Sequence, residues 1–311
     1  MGTAELACAS LRALLDSQEF QVLAVVTQPD RPKGRDLKLQ PSEVKKVAVA
    51  ANIPVLQPER AKEPQFIEQL KKLTPDYIVV VAYGQILPRA ILDTPSFGCV
   101  NVHTSLLPKY RGAAPIQAAL LNGDTETGVT IMQMEEGLDT GPIISQRVVL
   151  IEASDDAQTL HDKLAKAGAE LLAPTLVDFA AGKIKAQPQD RARATHVKKI
   201  KKEDGQLDWA QPARVLQNRI RAFTPWPGAF TFQRTGNKPR LLKIWRAEIE
   251  NAKGVAGTVL AANNNGIVIA CGKDALRVLR LQREGGRQMP AAEFLQGNPI
   301  RVGEQFISAS S

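Results

Sequence analysis

The sequence predicts an α/β protein, with a doubly wound, mostly parallel sheet followed by a small OB-like β-barrel. Three observations predict it. The 311 residues are about twice the roughly 150 of an average domain. The first 150 residues alternate apolar strand-like runs with helical segments, as βα units do. Beyond residue 205, short strand-like runs are separated by Gly and Asn, as in a small barrel.

Residues 5–15 put Leu6, Leu11, Leu14 and Leu15 on one side of a helix. Residues 20–27 (FQVLAVVT) form an apolar, β-branched run suited to a buried parallel strand. A basic loop rich in Pro and Gly covers 28–41, and Ser42 is the N-cap expected for a helix to 51. A short strand at 53–56, a helix at 64–73 and strands at 76–82 (DYIVVVA) and 99–103 (CVNVH) follow. Residues 114–121 read as a helix closed by Asn122-Gly123, and 127–134 as a strand. Residues 154–181 form one long helical segment, where Pro174 marks a kink or break and Gly182 a stop.

The polar, basic stretch 183–205 reads as a linker, dividing the chain into domains at 1–182 and 206–311. In the second domain a helix is expected at 213–221 and a small one at 290–295. Strands are expected at 229–234, 241–249, 257–262, 266–271 and 275–281.

Composition narrows the function. Apolar residues make up 44% and charged residues 23%, an ordinary globular balance. The three cysteines, Cys8, Cys99 and Cys271, are too scattered for a disulfide framework or a zinc site, so no metal is expected. A reducing compartment follows. No apolar run approaches the roughly 18 residues of a membrane span, and no secretion signal opens the chain. No membrane partner is expected, and the expected location is the bacterial cytoplasm, with an organelle left open. A monomer meets every requirement the sequence sets.

The net charge of +8 is unevenly spread. Residues 1–200 balance 23 basic against 23 acidic residues, while residues 201–311 hold 17 against 9. A neutral body with a basic appendage points to a polyanionic partner, or more plainly to solubility.

His103 ends an apolar strand and shares one face of it with Asn101, because side chains alternate along a strand. An amide and an imidazole at a strand's carboxyl end can hydrogen-bond an acyl oxygen and move a proton. The plainer alternative is a pair of satisfied core polar groups. Asp139 lies between Gly137 and Gly141, in a loop able to hold a carboxylate against His103 or simply to turn. His161 and His196 read as surface residues. Dinucleotide, phosphate-loop and nucleophile-elbow motifs are absent, and Ser105 and Cys99 have no case for activation beyond nearness to His103. The basic loop 31–38, the lysines at 198–202 and the basic last third are three positive elements suited to phosphates.

Several of these residues fall in recognisable stretches. Asn101-Val102-His103, Ser105-Leu106-Leu107-Pro108, Tyr110-Arg111-Gly112 and Leu138-Asp139-Thr140-Gly141 resemble the formyltransferases that use 10-formyltetrahydrofolate. Further stretches carry the likeness over nearly the whole chain, including Thr27-Gln28-Pro29-Asp30-Arg31-Pro32 and Arg221-Ala222-Phe223-Thr224-Pro225-Trp226-Pro227. The basic loop and basic tail point to the branch of that family that acts on methionyl-tRNA.

The resemblance implies formyl transfer from 10-formyltetrahydrofolate to the α-amine of initiator methionyl-tRNA, within translation initiation. It implies Asn101, His103 and Asp139 as catalytic residues, and Ser105, Leu106, Leu107 and Pro108 along the folate site. It also implies Arg35, Lys38, Lys198, Lys199, Lys201 and Lys202 as tRNA contacts. A formyltransferase acting on a sugar nucleotide or another small amine is one alternative; a non-catalytic RNA-binding relative is another. Family members carry a short apolar strand before the first Gly-Thr. Here the sequence opens Met1-Gly2-Thr3-Ala4-Glu5, so the first strand is expected to be missing and the sheet opened.

Overall fold

The computed structural model describes residues 1–33, 38–235 and 238–308. These fall into two compact units. One comprises Met1–Pro115, Glu126–Leu150 and His161–Val197; the other comprises Ile116–Thr125, Ile151–Leu160 and Lys198–Ser311.

In the first unit the strand Ile78–Val80 runs parallel to Cys99–His103. From there the sheet changes direction: Glu126–Gln133 pairs antiparallel with Cys99–His103, and Ile143–Leu150 pairs antiparallel with Glu126–Gln133. The α/β class stands, and the sheet is mixed: its pairings are parallel up to Cys99–His103 and antiparallel beyond it. Ile143–Leu150 is a strand beyond those expected, and from Ser145 its residues alternate between half-buried and exposed with period two. A separate parallel pair joins Val25–Val26 to Val55–Leu56.

The slot between Val26 and Val81 is not empty, which corrects the expectation of a missing first strand. Gly2 bridges Val81 in parallel and donates its N–H to the Val26 carbonyl at 2.9 Å, while Val81 N–H bonds the Met1 carbonyl at 2.9 Å. Beside this short bridge lies an apolar groove of about 280 Å³, lined by Val22, Ala24, Leu70 and Val79 among others. Its walls hold none of the candidate catalytic residues.

The helix Leu6–Asp16 buries Leu6 and Leu11, as its spacing predicts. Ser42 caps Glu43–Ala50 by accepting the Lys45 N–H at 3.1 Å. The long helix Ala157–Ala180 runs through Pro174 without a break. Its Gly168 lies against Val102 and Val129, so Val102 faces this helix and Asn101 and His103 occupy the opposite face of their strand.

Among the described residues, the second unit holds a seven-stranded antiparallel sheet. Its long strands Lys238–Glu250 and Ala275–Arg283 pair with register shifts around Arg246, which bend the ladder. Phe306–Ile307 pairs with Ala229–Thr235, and Phe306 N–H also bonds the Gly257 carbonyl at 2.8 Å. The sheet therefore curls until its two ends meet, as a small barrel requires. Ala213–Ala222 covers one mouth, burying Leu216 and Ile220 against Ile244 and Ile267. Trp209 satisfies its buried indole N–H on Thr231 Oγ1 at 2.9 Å. Arg221 spends its guanidinium on the carbonyls of Asp155 and Glu152, at 2.6 and 2.7 Å.

Candidate active site

Asn101 and His103 stand two residues apart on Cys99–His103, a strand gripped on both sides. The loop carrying Asp139 meets them there. Asp139 has a left-handed φ of 52°, which turns its carboxylate toward the strand. That carboxylate accepts from Asn101 Nδ2 at 3.3 Å through one oxygen and from Gly112 N–H at 2.8 Å through the other. His103 Nδ1 lies 3.7 Å from the second oxygen. The three residues expected to act together do converge.

Hydrogen-bond chemistry fixes their orientation. A carboxylate only accepts, so the Asn101 amide must present its nitrogen to Asp139, and that nitrogen keeps a second N–H to offer elsewhere. A carbonyl also only accepts, so His103 Nε2, 3.0 Å from the Tyr110 oxygen, carries a proton. Nδ1 is then the nitrogen turned to Asp139. A proton taken up there lies between ring and carboxylate.

The loop after His103 is pinned down. Leu107 N–H donates to Thr130 Oγ1 at 3.1 Å, and Thr130 donates in turn to the Ser105 carbonyl at 2.6 Å. Leu106 lies over Gly128, where a side chain would collide with it. Ser105 is fully buried and its hydroxyl donates to the Lys109 carbonyl at 2.6 Å, which leaves it no role as a nucleophile. Burial pushes the Cys99 thiol up to about 12, so it too stays protonated near neutrality. Of the four residues expected along the folate site, Ser105 and Leu107 are buried and fix the loop, while Leu106 and Pro108 are half-buried.

Three residues important to this geometry have no signal in the sequence read alone. Thr195 accepts the Tyr110 N–H on its hydroxyl at 2.8 Å and the Arg111 N–H on its carbonyl at 2.8 Å. Val197 lies so close to Gly112, at φ 113°, that a Cβ there would strike the Val197 carbonyl. Gln189 contacts the Asp139 loop directly. All three come from the stretch read as a linker, whose residues through Val197 group with the first unit.

Among the expected tRNA contacts, Lys198, Lys199, Lys201 and Lys202 are exposed. Arg35 lies outside the described residues, as does the side chain of Lys38. On the second unit's sheet, Arg246 stands directly opposite Arg280, both exposed.

Comparison with known proteins shows the family. Residues 1–176 match the formyl transferase family model, and residues 199–299 match the formyl transferase C-terminal domain. The chain is 47% identical over 303 residues to the methionyl-tRNA formyltransferase of Citrifermentans bemidjiense, covering 97% of this chain and 94% of the relative. It is 45% identical to that of Geobacter sulfurreducens, covering 100% and 96%. Among solved structures, an N-formyltransferase from Helicobacter canadensis shares the fold with a TM-score of 0.62 at 20% identity, covering 89% of this chain and 97% of that one. Among the described residues, no helix is long and apolar enough to cross a membrane. The chain belongs to the formyl transferase family, and methionyl-tRNA formyltransferases are its near full-length relatives.

Proposed function

We propose that this chain moves a formyl group from 10-formyltetrahydrofolate to the α-amine of initiator methionyl-tRNA. The observation that carries the reading is the convergence of Asn101, His103 and Asp139 at the end of one strand. The amine attacks the formyl carbon and the carbonyl oxygen takes up negative charge. The second N–H of Asn101 donates to that oxygen. The new C–N bond is made in that attack, and the bond to the folate nitrogen breaks when the tetrahedral oxyanion collapses. The amine proton passes, by way of Asp139 and His103 or a water they hold, to the departing folate nitrogen. The half-buried faces of Leu106 and Pro108 flank the folate.

The tRNA choice is supported by the relatives' names and by the uneven charge. The first 200 residues are neutral, while the second unit opposes Arg246 to Arg280 and exposes Lys198, Lys199, Lys201 and Lys202. A surface with exposed cations suits a polyanion, whose phosphates neutralise them. Arg35 and Lys38 would add to that contact from the basic loop.

The test is an assay of formyl transfer from 10-formyltetrahydrofolate to charged initiator tRNA, with a sugar-nucleotide amine as the competing acceptor. Losing one oxyanion donor costs about 10²–10³ in rate, so Asn101→Ala is expected to fall by that much. Activity within a few-fold of the unaltered chain would remove Asn101 from the mechanism. Preference for the sugar amine would overturn the tRNA assignment.

A further inference from the structure

We propose that Gln189 is a positioning residue that sets the aim of the Asp139 carboxylate, with Arg111 as its anchor. The inference rests on the reading above, in which Asp139 handles the amine proton.

Gln189 is nearly buried, and so is Arg111. The Arg111 guanidinium donates from Nε and Nη2 to the single Gln189 Oε1, at 3.1 and 2.7 Å. Arginine offers only donors, so this contact decides which end of the amide faces it. The Gln189 nitrogen must then face the other way. There it donates to the Asp139 carbonyl at 2.9 Å and to the Gly141 carbonyl at 2.7 Å. One amide thus staples the backbone on both sides of Thr140, and the left-handed turn at Asp139 is held by it.

The staple closes a ring. Gly112, next to Arg111, donates its own N–H to the Asp139 carboxylate. Main chain and side chain of Asp139 are therefore both referenced to the 111–112 segment, through Gln189 on one side and directly on the other. A buried cation is costly to keep, and here two of its donors hold an uncharged amide rather than a carboxylate. Fixing the amide's direction is a return that packing alone does not give. A displacement of about 1 Å at a proton-transferring carboxylate costs on the order of 10²-fold in rate.

The test uses Gln189→Met, Gln189→Glu and Asp139→Asn in the full chain, assayed for formyl transfer, with melting curves to report folding. Gln189→Met keeps the length but loses all four hydrogen bonds, two from Arg111 and two to the carbonyls. It is expected to lower kcat by about 10–100-fold while KM for each substrate stays within about threefold. Placed on Asp139→Asn, it is expected to cost no more than about twofold further, because a residue acting only through Asp139 has nothing left to position. Gln189→Glu still accepts from Arg111 but lacks the proton for the two carbonyls. Its deficit relative to the unaltered chain is expected to shrink as pH falls and its carboxyl protonates. Should Gln189→Met fail to fold, this variant decides by that pH trend alone.

Three results would each overturn the proposal: kcat of Gln189→Met within threefold of the unaltered chain, a loss that multiplies in full onto Asp139→Asn, or a Gln189→Glu deficit independent of pH. A nearly active Asp139→Asn is a separate failure, since it sinks the reading of Asp139 itself.

Discussion

The two units carry charge in opposite ways. In the first, Asp139 is held by Asn101, by the Gly112 N–H and, through its carbonyl, by Gln189. In the second, Arg246 and Arg280 face each other exposed, and Arg246 meets Glu248 only at 3.7 Å. The difference matches what the proposed function asks of each charge. A carboxylate that moves a proton must keep its distance to within a fraction of an ångström. A cation that attracts phosphates acts over a Debye length of about 8–10 Å, so a mobile side chain serves.

The sharpest way to break this contrast is at Gly112. Gly112→Ala places a side chain at φ 113° against the Val197 carbonyl, next to the N–H that holds Asp139. We expect formyl transfer to fall by about 10²-fold with the tRNA dissociation constant nearly unchanged, as measured by filter binding. A variant that loses affinity and keeps its rate would reverse the assignment of the two regions.

The complementary change is Arg246→Ala with Arg280→Ala. It is expected to weaken tRNA binding several-fold and to lower the slope of log K against log salt by roughly 2. The turnover at saturating tRNA should hold.

A smaller effect separates buried groups from both regions. Cys99 and Cys271 are pushed up to about 12 by burial, from an ordinary value of 9.0. Folded protein keeps these protons above pH 9, where the unfolded chain releases them. Stability is therefore full below pH 9 and is lost as pH rises toward 12. Urea midpoints between pH 8 and 10.5 are expected to decline, and Cys99→Ala should flatten the decline. Thiol reagents at pH 8 should label the native protein far more slowly than the denatured one.

Much of this was legible in the sequence. Period two put Asn101 and His103 on one face, and the glycines around Asp139 marked a tight loop. The longer strands of the second unit followed from local apolar spacing, while the two-residue strands Met289–Pro290 and Phe306–Ile307 did not. The antiparallel turn of the first sheet was not legible, because strand direction depends on which partner the chain finds. Residues 1–2 looked too short to fill a strand slot, yet two backbone bonds to Val26 and Val81 suffice for one rung. Gln189 and Thr195 carried no signal at all. They sit in a polar stretch whose partners lie 48 to 85 residues away in sequence.

By itself the sequence determined which residue types could do acyl chemistry, which segments were apolar enough to be buried, and that the positive excess belongs to the last third. These are local properties, set by side-chain chemistry and by the periods of helix and strand. Only the tertiary structure decided that Asp139 meets the Asn101/His103 strand and that an apparent linker anchors both loops. Those outcomes depend on hydrogen bonds between segments distant in sequence, and a donor or acceptor does not reveal its partner until the fold has brought it within about 3 Å.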